Sequence, residues 1–166
     1  MVLLTISVVI ILLMVIFKLT NWLSYKLLKD RILKRKKWDL NISCGKTNGG
    51  GTNADIVKHA DLPNFILLTD IYHLPFKTGQ FKTVLCSHTI EHVDDPTAFF
   101  SELKRVGQYV TLVIPPLWDI TAALNILEHR WVFLTFKKEH TTLPLRVYLP
   151  FADFIKKNLL IEYIKA

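Results

Sequence analysis

Residues 2–17, VLLTISVVIILLMVIF, carry no charge, and their only polar side chains belong to Thr5 and Ser7. A helix can bond both hydroxyls back onto its own carbonyls, so the segment reads as one to be taken out of water. At about 1.5 Å per residue it covers roughly 24 Å, short of the ~30 Å hydrocarbon core. Leu19, Trp22, Leu23 and Tyr25 complete the span, because Lys18 can snorkel and the two rings suit the interfacial belt. Residues 1–25 are therefore expected to be a transmembrane anchor. A cleaved signal peptide fits poorly, as the start lacks Lys and Arg and no small-residue cleavage site follows. A helix lying in the interface fits poorly too, since the first 17 residues have no polar face.

The formal charge of +7 suggests a nucleic-acid binder until it is located. Lys18, Lys26, Lys29, Arg31, Lys34, Arg35, Lys36 and Lys37 oppose Asp30 alone, and they account for the whole excess. Residues 38–166 hold equal numbers of basic and acidic side chains, so nucleic acid is not an expected partner. Residues 26–37 form a basic juxtamembrane stem. By the positive-inside rule the stem and the domain beyond it, 38–166, lie in the cytoplasm, and the stem is attracted to anionic headgroups. The anchor makes the membrane itself a partner. Cys44 and Cys86, at the ends of apolar runs, read as buried packing thiols.

After Lys37 the pattern changes to short apolar runs separated by turn residues, the signature of an α/β domain. Strands are expected at Trp38–Cys44, Asn53–Val57, Phe65–Ile71, Lys82–Ser87 and Tyr109–Ile114, several apolar throughout as in parallel sheets covered on both faces. A helix is expected over Asp95–Val106, with Phe99, Phe100, Leu103 and Val106 at helical spacing and Pro96 behind an acidic cap. Gly45–Asn53 reads as a flexible turn. Leu117–Phe136 reads as an apolar helix or lid, Tyr148–Leu159 as a helix and Leu160–Ile164 as a last strand.

In open parallel sheets, ligands collect outside the carboxyl ends of the strands. Here those ends read Ser43-Cys44-Gly45, Asp55, Asp70-Ile71 and Ser87-His88. Four segments, Leu40-Asn41-Ile42-Ser43-Cys44-Gly45, Asn53-Ala54-Asp55-Ile56, Thr69-Asp70-Ile71-Tyr72-His73-Leu74-Pro75-Phe76 and Ser87-His88-Thr89-Ile90-Glu91-His92-Val93-Asp94-Asp95-Pro96, occur in the order and spacing of class I methyltransferases. Over roughly residues 38–116 the chain resembles that family, in the broad type that methylates small molecules, quinones and lipids.

The resemblance implies a minimal Rossmann-like, mostly parallel sheet with helices on both faces, and S-adenosylmethionine as cofactor. Gly45 would let the backbone approach the methionine end, beside Ser43. Asp55 would accept from the ribose hydroxyls, and Asp70 from the adenine amino group, with the Ile71 backbone at the ring edge. Ser87 and His88 would line the floor near the sulfonium, His88 being the nearest group to take an acceptor's proton. Asn41 and Ser43 stand where the family usually has an acidic residue and a glycine, and the link between the first two strands is too short for the usual helix. These departures motivate an alternative, a membrane-tethered scaffold that keeps the fold without turnover.

His88-Thr89-Ile90-Glu91-His92 also spells H-x-x-E-H, the inverted zinc-peptidase signature. That chemistry needs the five residues inside a helix, and Asp94, Asp95 and Pro96 delay the helix until after them. No metal site is expected from the sequence.

Overall fold

The computed structural model describes residues 1–151. A continuous helix opens the chain: α1 over Val2–Trp22, a π-helical segment at Leu23–Leu28, and α2 at Lys29–Lys34. It is long and apolar enough to cross a membrane. From Val8 to Ile16 its large apolar side chains are exposed, and the first fully buried position is Ser24. The stem expected at 26–37 is thus helical as far as Lys34. The π-helical segment widens the turn, the Lys29 N–H donating to the Ser24 carbonyl five residues back.

The domain follows as β1 (Trp38–Ile42), β2 (Gly50–Asp55), β3 (Phe65–Leu67), β4 (Phe81–Ser87), α3 (Pro96–Val106), β5 (Gly107–Val113), α4 (Ile120–Ala123), β6 (Trp131–Phe133), β7 (Glu139–His140) and β8 (Arg146–Tyr148). Six strands form one sheet in the order β3-β2-β1-β4-β5-β7, parallel except for β7, and β6 pairs with β8 in a separate ribbon. The reversal of strand order between β1 and β4 creates the crevice at which such sheets bind ligands.

Helix α3 forms as its sequence dictates. The Asp95 carboxylate accepts from the N–H groups of Thr97 and Ala98 at 2.8 and 3.0 Å, and Pro96 occupies the first turn. Phe99, Leu103 and Val106 then pack on Leu40, Ile42, Val84, Cys86, Val110 and Leu112, which share one face of the sheet. On the opposite face Leu33 of α2 packs with Trp38, Leu85 and Val113. Helix α2 is therefore part of the domain's core. Arg35 reinforces the union with a two-pronged ion pair to Glu139 on the edge strand, at 2.9 and 2.6 Å.

The link from β1 to β2 is the unusual feature. Parallel neighbours normally need a crossover of a dozen or more residues, usually a helix, yet here seven residues, 43–49, suffice. The chain returns in extended form over Asn41, whose amide donates to the Thr47 carbonyl at 2.8 Å, while the Asn53 amide oxygen accepts from Gly49 N–H at 2.9 Å. A Cβ on Gly49 would stand 2.6 Å from Cβ of Asn41. Gly49→Ala is accordingly expected to cost about 1–3 kcal/mol through overpacking, read as a lower denaturation midpoint. An unchanged midpoint would mean that the link is free to shift.

Several expectations need correction. The second strand begins at Gly50, so Gly50–Asn53 belong to a strand and not to a flexible turn. The first strand ends at Ile42, before Cys44, and the third at Leu67, before Asp70. Leu117–Phe136 is neither one helix nor a lid: it holds the short α4, turns and β6, because Asp119 caps α4 and the β6–β8 ribbon claims the second half. Tyr148 closes β8, Pro150 and Phe151 are helical as expected, and the rest of the helix expected to Leu159, with the strand at 160–164, lies outside the described residues.

Candidate active site

The ends of β1 and β2 are locked together by one carboxylate. Ser43 and Gly45 both adopt left-handed backbone, at φ 52° and 53°, which turns the chain sharply after β1. This turn presents the Gly45 N–H to Asp55 Oδ2 at 2.8 Å, while Oδ1 accepts from the Ile56 N–H at 2.8 Å. A Cβ on Gly45 would meet nothing within 4 Å, so the backbone there borders open space.

Asp70 stands beyond β3, half exposed, and accepts from the Tyr72 N–H and from His73 Nδ1, each at 2.7 Å. The bond to His73 and then the Tyr72 N–H hold its carboxyl below the usual range, and His73 is raised in turn. Ile71 is buried in the main core. The segment Leu74-Pro75-Phe76 is fastened to α3: Glu102 Oε1 accepts from the Leu74 N–H at 2.7 Å, and the Arg105 guanidinium donates to the carbonyls of Phe76 and Leu74.

At the end of β4, Ser87 Oγ is buried without a hydrogen-bond partner, and His88 has left-handed backbone at φ 54°. A polar chain that the sequence reading missed runs from His88 into the anchor. Lys138 Nζ lies 2.8 Å from His88 Nε2 and donates to Ser24 Oγ at 3.0 Å. An ammonium can only donate, so His88 Nε2 accepts and its Nδ1 carries the proton, 3.3 Å from Glu91 Oε1. Tyr25 packs against the imidazole with ring centroids 5.2 Å apart, and Asn21 donates to Asp119 Oδ1 at 3.3 Å. Burial pushes His88 toward its neutral form and pulls Lys138 down to about 8.

Lys138 therefore has a pH signature. Its folded pKa is depressed from 10.5, so its contribution to stability is complete above pH 10.5 and lost as pH falls through about 8. Relative to Lys138→Met, the wild-type chain should gain on the order of 3 kcal/mol between pH 8 and 10.5. Denaturation at several pH values measures it, and a flat difference would contradict a desolvated ammonium.

Of the residues expected to hold cofactor, Ser43, Gly45 and Asp55 come together in one turn. Ser87 and His88 end β4, the strand beside β1, and Asp70 and Ile71 lie past β3. The open face of Gly45 and the orphaned hydroxyl of Ser87 fit a ligand laid across the strand ends. Asn41, read as a departure at the cofactor's amino-acid end, instead holds the β1–β2 link. Two cavities border the helix, neither lined by Gly45, Asp55 or Asp70. One, of about 340 Å³, is bounded by Phe17, Asn21, Trp22 and Tyr25, and the other, of about 590 Å³, by Lys34, Lys36, Lys37 and Lys46. Both thiols are buried and inert, burial pushing Cys44 up to about 11 and Cys86 higher still.

The family model described as a methyltransferase domain matches residues 50–109. No curated protein matches the chain. Among solved structures it is similar to an S-adenosylmethionine-dependent methyltransferase of Aquifex aeolicus, at 19% identity and TM-score 0.39 over 56% of this chain and 66% of that one. It is similar also to a possible histamine N-methyltransferase of Thermotoga maritima, at 20% identity and TM-score 0.43 over 60% of this chain and 57% of that one. A protein from Pyrococcus horikoshii aligns at 17% identity and TM-score 0.43 over 83% of this chain and 79% of that one. The chain thus spans less than two thirds of the length of the first two. Residues 50–109, with Asp55, Asp70, Ser87 and His88 among them, match the methyltransferase domain model and sit within a Rossmann-like sheet that the same chain completes.

Proposed function

We propose that the chain is an S-adenosylmethionine-dependent methyltransferase whose acceptor is a lipid, quinone or other membrane-borne molecule. The reading is carried by one observation: the segment that matches the methyltransferase domain holds the strand ends of the crevice, and Asn21, Ser24 and Tyr25 of the apolar helix are joined to that same end. An acceptor arriving along the helix would reach Ser87 and His88 without crossing bulk water.

Bound there, S-adenosylmethionine would supply a methyl group already activated by its sulfonium. What remains for the protein is positioning and exclusion of water. Gly45 and Asp55 would hold the nucleoside, Asp70 and the Ile71 backbone would meet the adenine edge, and Ser87 and His88 would border the methyl. Once Lys138 has given up its proton, which its pKa of about 8 permits, the neutral His88 would take the proton of a hydroxyl or amine acceptor at Nε2.

A second reading, a tethered scaffold without turnover, is favoured by the helix-free β1–β2 link, since the helix terminus that would face the cofactor's carboxylate is replaced by extended chain. Calorimetry of the full chain in detergent with S-adenosylmethionine, followed by transfer of labelled methyl to extracted lipids or quinones, separates the two. Binding with transfer supports the enzyme, binding without transfer supports the scaffold, and absence of binding removes both cofactor and activity.

A further inference from the structure

Glu91 is a carboxylate in the wrong place for a folded protein. It is 1% exposed, and neither of its oxygens has a hydrogen-bond partner. The nearest donor is the Nδ1–H of His88, 3.3 Å from Oε1, an approach that leaves Oε2 with no counterpart. Buried charge left in this condition costs several kcal/mol, which points to a missing cation.

Two imidazoles complete the arrangement. His92 follows Glu91 directly, and its Nδ1 lies 3.1 Å from the Glu128 carbonyl. Because a carbonyl only accepts, Nδ1 holds the proton and the Nε2 lone pair is left free. Ligand histidines are usually fixed through just such a bond from the second nitrogen to a carbonyl. The buried His129 packs edge-on against the His92 ring, with centroids 4.7 Å apart. The chain itself holds the two segments together, since the Arg130 and Trp131 N–H groups both donate to the Glu91 carbonyl, at 2.9 and 3.1 Å.

We propose that Glu91, His92 and His129 bind one divalent transition-metal ion, zinc by the character of the donors, with a coordination position left open. One ligand atom from each lies within 4.8 Å of the other two. Zinc bonds of about 2.0–2.2 Å place donors at most roughly 4 Å apart, so small side-chain rotations close the site. One carboxylate with two imidazoles is also a donor set of open zinc centres, which keep a position for water or substrate.

The site is not the inverted zinc-peptidase arrangement read in the sequence. Residues 88–95 form turns before α3, His88 points its Nε2 at Lys138, and Glu91 serves as ligand where the motif would make it a base. It departs from the expectation of no metal site, and it does not depend on methyl transfer.

The test uses the full chain in detergent micelles, stripped with chelator and titrated with Zn²⁺ by calorimetry and with Co²⁺ by visible absorption. One equivalent should bind, with cobalt d–d bands of a four- or five-coordinate site and a higher melting temperature. Glu91→Gln and His129→Ala should weaken binding at least about 100-fold, more than loss of an outer-shell partner alone would cause. His92→Ala, at the half-exposed ligand, decides the matter if the buried variants fail to fold. Absence of a saturable equivalent in the wild-type chain, or unchanged affinity in the variants that fold, would overturn the site.

Discussion

Trp38→Ala should remove about 3–5 kcal/mol of stability, as truncation of a fully buried tryptophan does, and should loosen the juxtamembrane helix from the sheet. The indole is completely enclosed, and its Nε1 donates to the Leu33 carbonyl at 3.0 Å, in the last turn of α2. It packs with Leu33, Leu85 and Val113, so one side chain joins α2, β1, β4 and β5. Trp38→Phe keeps part of the volume and loses the hydrogen bond, and should fall between the two. Denaturation in detergent gives the stability, and proteolysis at Arg35–Lys37 should accelerate in the alanine variant. Loss of stability without faster cleavage there would show that Leu33 and Arg35 suffice to fasten the helix.

The second large effect concerns Asp55. Its carboxylate is the acceptor for two N–H groups, Gly45 and Ile56, and removal strands both, at about 1–3 kcal/mol each where they are shut from water. Asp55→Ala should therefore lose cofactor affinity together with the turn that shapes the site. Asp55→Asn separates these roles, because its amide oxygen still accepts one N–H while the charge is gone. If Asp55 holds the ribose, the asparagine variant should stay folded and bind S-adenosylmethionine at least about tenfold more weakly, a loss of roughly 1.4 kcal/mol. Equal affinity in a folded asparagine variant would exclude the carboxylate from the cofactor's contacts.

What could be read in advance was whatever local chemistry decides. The capped helix at Pro96–Val106 follows from Asp95, Pro96 and the spacing of Phe99, Leu103 and Val106. The apolar strands β1, β4 and β5 follow from continuous hydrophobic runs. The turn at Ser43–Gly45 was read late, because the strand was expected to run to Cys44 whereas Ser43 already adopts left-handed backbone. What escaped was decided at a distance. Gly50 and Gly51 carry no strand propensity, and they enter β2 because β1 pairs with it, Trp38 opposite Gly50. Leu117–Phe136 has helical composition, but its N–H groups find partners in Asp119, Glu91 and the β8 strand. Lys138, Ser24 and His129 showed no motif, since each gains its role from a residue 114 or fewer positions away in sequence and adjacent only in the fold.

The burial of Ser24, Leu33 and Trp38 has a mechanical consequence. A membrane protein hung from a flexible leash lets its catalytic head roll and sample any depth of the adjoining water layer. Here the apolar helix is built into the head, so if it spans a bilayer, tilt of the helix and tilt of the crevice are one motion. Bilayer thickness, which sets helix tilt, would then govern which height above the lipid the crevice can inspect, and thinner or thicker membranes should change access without any change in the crevice itself.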